Sequence, residues 1–123
     1  MTAAEAVEQI DTVLAHAWMV RNFLKHADEV QDHEEMLEVH RVIFDYIRAL
    51  EPSAQRGDAH EYLRRARGKL SKLRQAAESL AANYRGVSDH TNFEMAARSL
   101  QGCVRQIDEI LTAAKTLTAE PGQ

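Results

Sequence analysis

The stretch DHEEMLEVH places His33 and His40 seven residues apart with Glu34, Glu35 and Glu38 between them. Imidazoles and carboxylates together are the ligand set of zinc and iron sites and the partners of general acid/base catalysis. On a helix turning ~100° per residue, however, His33 and His40 share a stripe with Met36 and Leu37, while Glu34 and Glu38 lie off it and Glu35 reads as a capping residue. The groups therefore do not converge within the stretch. Di-iron bundles need Glu-x-x-His on two helices so that both ligands point inward. Neither that spacing, nor His-x-x-x-His, nor His-Glu-x-x-His occurs in the chain. A better polar cluster is one end of the fold, where His26, His33, Tyr84, His90 and Glu94 can approach one another. There His26, His33 and His90 are the candidate ligands for zinc or iron, without motif spacing to support them. On this reading His33 and His40 are partly buried structural residues, and burial would hold such an imidazole neutral with a lowered pKa.

Other reactive side chains lead no further. Ser88, Asp89 and His90 are adjacent, but a nucleophile, base and acid must meet in space rather than in sequence, and this trio reads as loop and cap. Cys103 falls on an apolar stripe, where a thiol is inert. No Gly-x-Ser-x-Gly, P-loop or dinucleotide fingerprint is present, so no catalytic residue is assigned.

Two stretches suggest contacts instead. In HAWMVRNFL, Trp18 and Met19 lie outside the stripe formed by Val13, Ala17, Val20 and Leu24. A large aromatic off the stripe marks a second interface, or else it packs on a neighbouring helix at the edge of a wide core. EYLRRARGKLSKLRQ carries Arg64, Arg65, Arg67, Lys69, Lys72 and Arg74. Arg64, Arg65, Arg67 and Lys72 could contact polyanions. The competing reading is charge complementarity with the acidic segment between Asp28 and Glu38, or a solvated face.

These residues are positioned by four amphipathic segments. Ala3, Ala6, Ile10, Val13, Ala17, Val20, Leu24 and Ala27 form one helical stripe. Continued, it would run into Gln31, Glu34, Glu38, Arg41 and Asp45, whereas the next apolar stripe is His33, Met36, Leu37, His40, Ile43, Phe44 and Ile47. The two would lie on opposite sides of one rod, so the chain must break between residues 27 and 33. Asp32 with Glu35 has the spacing of a capping box, and Pro52 ends the second helix. Asp58 with Glu61 opens a third helix, striped by Leu63, Ala66, Leu70, Leu73, Ala77, Leu80 and Tyr84 and capped by Gly86. Thr91 with Glu94 opens a fourth, striped by Phe93, Ala97, Leu100, Cys103, Val104, Ile107, Ile110, Leu111, Ala114 and Leu117, before a frayed tail from Thr118. The expectation is an all-α, antiparallel, up-down-up-down four-helix bundle, one domain over 1–123, with helices at 3–29, 33–50, 59–85 and 92–117.

Composition sets the outer limits. The chain has 123 residues, 45% apolar and 28% charged, with a net charge of −4. That length supports a core without staples, and the acidic balance argues against nucleic acid as partner. One cysteine excludes an internal disulfide and fits a reducing compartment. The opening MTAAEAVEQI is amphipathic rather than a signal peptide, and no apolar run reaches the ~18 residues of a membrane span. A cytoplasmic location is expected.

The stretches HAWMVRNFLKHADEVQDHEEMLEVHRVIFDYIRALEP and QRGDAHEYLRRARGKLSKLRQ resemble a family of small bacterial helical proteins without established function, some carried under an amidohydrolase label. The resemblance implies a compact helical protein and, through the label, a hydrolase. It brings no site residue, because the amidohydrolase barrel takes ~200 residues or more and a His-x-His pair that this chain lacks. The function expected from the residues themselves is non-enzymatic association with protein, chiefly with a second copy as a dimer. The charged faces of helices 2 and 3 and the Trp18 surface would be its working parts. Metal or cofactor binding, polyanion binding and hydrolysis are the alternatives.

Overall fold

The first helix begins where the N-terminus supplies acceptors for its orphan amides. The Thr2 hydroxyl accepts from the Glu5 N–H at 3.1 Å and the Glu5 carboxylate accepts from the Thr2 N–H at 3.1 Å, a reciprocal capping box not anticipated from the sequence. In this computed structural model, which describes residues 1–119 and side chains through 115, four helices follow: α1 (Ala3–His26), α2 (Glu34–Gln55), α3 (Ala59–Val87) and α4 (Thr91–Ala119). No strand occurs among the described residues. The Leu117 stripe position and the tail beyond Ala119 lie outside the described side chains and residues.

α1 packs on α2 and α4, α3 packs on the same two, and α1 meets α3 across the diagonal. The chain is thus an all-α four-helix bundle. Its core takes Ile10, Val13, Val20 and Leu24 from α1, Met36, Ile43 and Leu50 from α2, Leu63, Leu73 and Leu80 from α3, and Phe93, Leu100 and Ile107 from α4. The stripes of α1, α3 and α4 coincide with the expected ones.

The break between α1 and α2 falls where the stripes reverse. α1 stops at His26 rather than 29, and a single 3-10 turn, Asp28–Val30, buries Val30 completely beneath the two helices. The Gln31 amide then donates to the carbonyls of Lys25 (3.1 Å) and Ala27 (3.0 Å), the latter also accepting from the Val30 N–H, and so ties the turn to the end of α1.

Four local expectations are corrected. Asp32 does not cap α2: His33 is its N-cap residue and no side chain bonds the cap. Pro52 does not end α2, which continues to Gln55. Buried Leu50 and Ser53 hold that last turn on the core, and a Schellman closure ends it, with Gly57 N–H donating to Ala54 O (3.1 Å) and Asp58 N–H to Ser53 O (2.9 Å). Gly57 sits at φ +68°, the left-handed conformation this closure requires. Gly86 lies inside α3, which ends one residue later with Ser88 as C-cap. α4 is opened by His90 rather than by a Thr91–Glu94 box, since His90 Nδ1 accepts from the Asn92 N–H at 3.1 Å. Asp58 does cap α3, through Oδ1 to the Glu61 N–H at 3.1 Å, but the Glu61 carboxylate turns to Arg64 and Arg65 instead of completing a box.

The α2 stripe is also rotated from the expected one. Its buried row is Met36, Val39, Ile43, Tyr46, Leu50 and Ser53. His33, Leu37, His40, Phe44 and Ile47 are only partly buried and form a flank. Tyr46 takes the place assigned to the histidines, its hydroxyl donating to Ala66 O at 2.9 Å, with burial pushing its pKa up.

The two glycines differ in what they do, and urea denaturation should separate them. Gly57→Ala forces a side chain into the left-handed region and should cost about 1–2 kcal/mol. Gly86→Ala, in a helix with open space around it, should gain about 0.5–1 kcal/mol. Equal effects would contradict the Schellman closure.

Candidate interaction surface

The flank of α2 meets the matching flank of α1. Leu14, Trp18, Arg21 and Lys25 recur at helical spacing along α1, and His40, Phe44, Ile47 and Glu51 do so along α2. Between them runs a groove of about 330 Å³ lined by Leu14, Trp18, Ile47 and Leu50, with the carboxylates of Asp11 and Glu51 at one end. The buried Tyr62 hydroxyl donates to Asp11 Oδ1 at 2.6 Å and so fixes that carboxylate at the rim.

The centre of this face is an aromatic and cationic stack. The Trp18 and Phe44 rings lie 6.4 Å apart, inclined at 40°. The Arg21 guanidinium sits over both, 4.5 Å from the Trp18 centroid and 4.9 Å from that of Phe44. Arg48 approaches Phe44 from the other side at 5.6 Å. Arg21 forms no ion pair among the described residues, and its Nε is buried without a hydrogen-bond partner. Cation–π contacts contribute about 0.5–2 kcal/mol, while an unpartnered buried donor costs about 1–3 kcal/mol. The stack is therefore near neutral for folding. What it achieves is to hold a large aromatic at the surface in one orientation: Trp18 remains 38% exposed and its neighbour Met19 65%. Trp18 thus packs on a neighbouring helix, as one of its two readings has it, and also reaches solvent.

The basic residues of α3 do not form one face. Arg64 and Arg65 both bond the Glu61 carboxylate, whose pKa they hold down at about 2, with the Arg64 hydrogen bond the largest cause. Arg67 donates across to Leu111 O at 3.3 Å and Arg74 pairs with Asp108 at 3.7 Å, so these two face α4. Lys72 points the opposite way, into the groove between α3 and α2.

His26 ends α1, His33 precedes α2 and His90 precedes α4, so all three share one end of the bundle. They are not brought together as ligands: no group of three His, Cys, Asp or Glu side chains able to hold a metal ion occurs among the described residues. His90 Nδ1 is taken by the Asn92 amide, and His33 Nδ1 lies 3.6 Å from Glu35 Oε1. Cys103 is buried with its Sγ–H directed to Val13 O at 3.7 Å, and burial pushes its pKa up. No helix among the described residues is long and apolar enough to cross a membrane. Comparison of the chain with family models, with curated proteins and with solved structures gives no match.

Sequence reasoning missed Arg21. An arginine in the middle of a helix normally reads as solvated, and the only signal was its i,i+3 spacing from Trp18.

His40 borders this stack and gives it a pH dependence. Its Nδ1 is buried and unpartnered. Desolvation first, then the positive charges of Arg21 and Lys25 on α1 and Arg41 on its own helix, lower its pKa, with Glu38 opposing weakly. A lowered folded-state pKa means that the unfolded chain takes up the proton first as pH falls. The stability contribution is complete above the ordinary value of 6.5 and is lost as pH drops below it toward the folded value. Urea titrations at pH 7 and pH 5 should show the acidic loss in the wild type and a smaller loss in His40→Leu. An identical pH dependence in the two proteins would remove His40 from the account.

Proposed function

We propose that the protein is a non-enzymatic helical-bundle module that works by association, first with a second copy of itself, through the α1–α2 face centred on Trp18. The observation that carries this reading is the stacked, part-exposed Trp18 beside an apolar groove. Tryptophan and arginine held rigidly at a surface are the residues that dominate protein interfaces. The charges around Trp18 support a copy of the same chain as the partner. Asp11 lies seven residues before Trp18 and Lys25 seven after it, close to two helical turns in each direction. A twofold axis perpendicular to the helices at Trp18 lays α1 antiparallel on its copy. It brings Asp11 of one protomer to Lys25 of the other twice, with the two indoles between. Neither Asp11 nor Lys25 takes part in an ion pair among the described residues. The single buried thiol supports a reducing, cytoplasmic setting for this role.

Size-exclusion chromatography with light scattering tests the reading. The wild type should run as a dimer that loosens with added salt. Trp18→Ala should weaken dimerisation by about 2 kcal/mol, near thirtyfold in Kd, with the helical circular dichroism unchanged. Lys25→Glu should weaken it as well. A monomeric wild type at high concentration, or a Trp18→Ala dimer as tight as the parent, would discard the proposal.

A further inference from the structure

A groove of about 590 Å³ lies on a different face, between α2 and α3. That volume is in the range of small-ligand sites. Its floor is apolar, made of Val39, Val42, Tyr46 and Ala76, and its walls carry opposite charge. α2 contributes Glu35, Glu38 and Asp45, and α3 contributes Lys69 and Lys72. These walls do not neutralise each other. Glu38 pairs with Arg41 at 3.4 Å, and Glu35 lies 3.6 Å from His33 Nδ1. Asp45, Lys69 and Lys72 take part in no ion pair among the described residues. One carboxylate and two ammonium groups therefore face each other across an apolar floor and remain unpaired.

We infer that this groove binds a short peptide as a zwitterion. Its terminal carboxylate would rest on Lys69 and Lys72, its terminal ammonium on Asp45, and an apolar side chain on Val42, Tyr46 and Ala76. A peptide of two or three residues extends about 7–10 Å, which holds its two terminal charges apart with an apolar side chain between them. Binding replaces water on three charges with charge-assisted hydrogen bonds and covers the floor. A ligand with one charge, or with none, satisfies only part of this arrangement. The Tyr46 hydroxyl is already spent on Ala66 O, so the floor asks for an apolar side chain.

Heteronuclear NMR on the full-length chain tests the inference with the dipeptide Leu-Leu, its N-acetyl form and its C-terminal amide. Leu-Leu should shift the amides of Val42, Asp45, Lys69 and Ala76 with roughly millimolar affinity. Each blocked form should bind about tenfold more weakly, the loss of one charge-assisted contact. Lys69→Ala with Lys72→Ala should erase the preference for the free carboxylate, and Asp45→Ala the preference for the free ammonium. Equal binding of all three probes, or no shift at roughly 10 mM Leu-Leu, would overturn it. So would movement of these resonances on dilution of the protein alone, which would mean that a second copy occupies the groove. Dilution shifts confined to Trp18, Ala15 and Phe44 report on the α1–α2 face instead and leave this groove unaffected.

Discussion

Val30 is buried completely within the 3-10 turn that separates α1 from α2. Without the break at Val30, α1 and α2 would be one rod with apolar rows on two opposite sides, and neither row could be covered by the other. Burying a valine is worth about 1.5 kcal/mol or more, enough to offset the helical bonds forgone across a three-residue turn. The Gln31 side chain adds two hydrogen bonds to carbonyls at the end of α1. The turn then lays the flank of α2 against the flank of α1, and that juxtaposition creates the Trp18–Arg21–Phe44 stack, the groove beside it and the enclosure of His40. Every feature of the candidate surface is a consequence of where this reversal occurs.

How far the sequence carried the fold depended on how single-minded each stripe was. α3 offers only leucine, alanine and tyrosine at core spacing, flanked by charge, and its buried face follows directly from the residues. α2 offers two competing rows. Leu37, Phe44 and Ile47 are as apolar as Met36, Ile43 and Leu50, because α1 half-covers them from the side. Periodicity reports apolarity and cannot distinguish a row at the centre of the core from one at its edge, so His40 was placed in the seam and Tyr46 overlooked. Pro52 failed as a stop signal for a related reason. A local rule about the residue before proline yields when tertiary contacts at Leu50 and Ser53 and a favourable closure at Gly57 lie just beyond it.

The capping sites teach the same lesson at smaller scale. Asp32–Glu35, Asp58–Glu61 and Thr91–Glu94 share one spacing, yet only Asp58 caps. A cap must reach free amides with a backbone already turned outward. At the start of α4 that geometry belongs to His90, one residue earlier, and at α2 it belongs to His33, whose ring turns toward Glu35. Helix-end work of this kind accounts for two of the three histidines that looked like ligands. Composition brought His26, His33 and His90 to one end of the bundle, and backbone demands then drew His33 and His90 in different directions.

Charge followed a similar course. Read along the chain, the arginines and lysines of α3 are a single basic run, but a helix disperses a run around its circumference. Lys69 and Lys72 turn toward α2 and Arg67 and Arg74 toward α4, while Arg64 and Arg65 share the single Glu61 carboxylate, so the run is dispersed. Asp11 and Lys25 lie outside any ion pair on the α1 side among the described residues, and Asp45, Lys69 and Lys72 line the groove between α2 and α3. Surface ion pairs contribute little to folding, whereas the Asp11 carboxylate accepts from the buried Tyr62 hydroxyl and the Lys25 charge helps to lower the His40 pKa. On the reading proposed above, the charges of Asp45, Lys69 and Lys72 would gain an energetic role when a molecule lies across the groove they line.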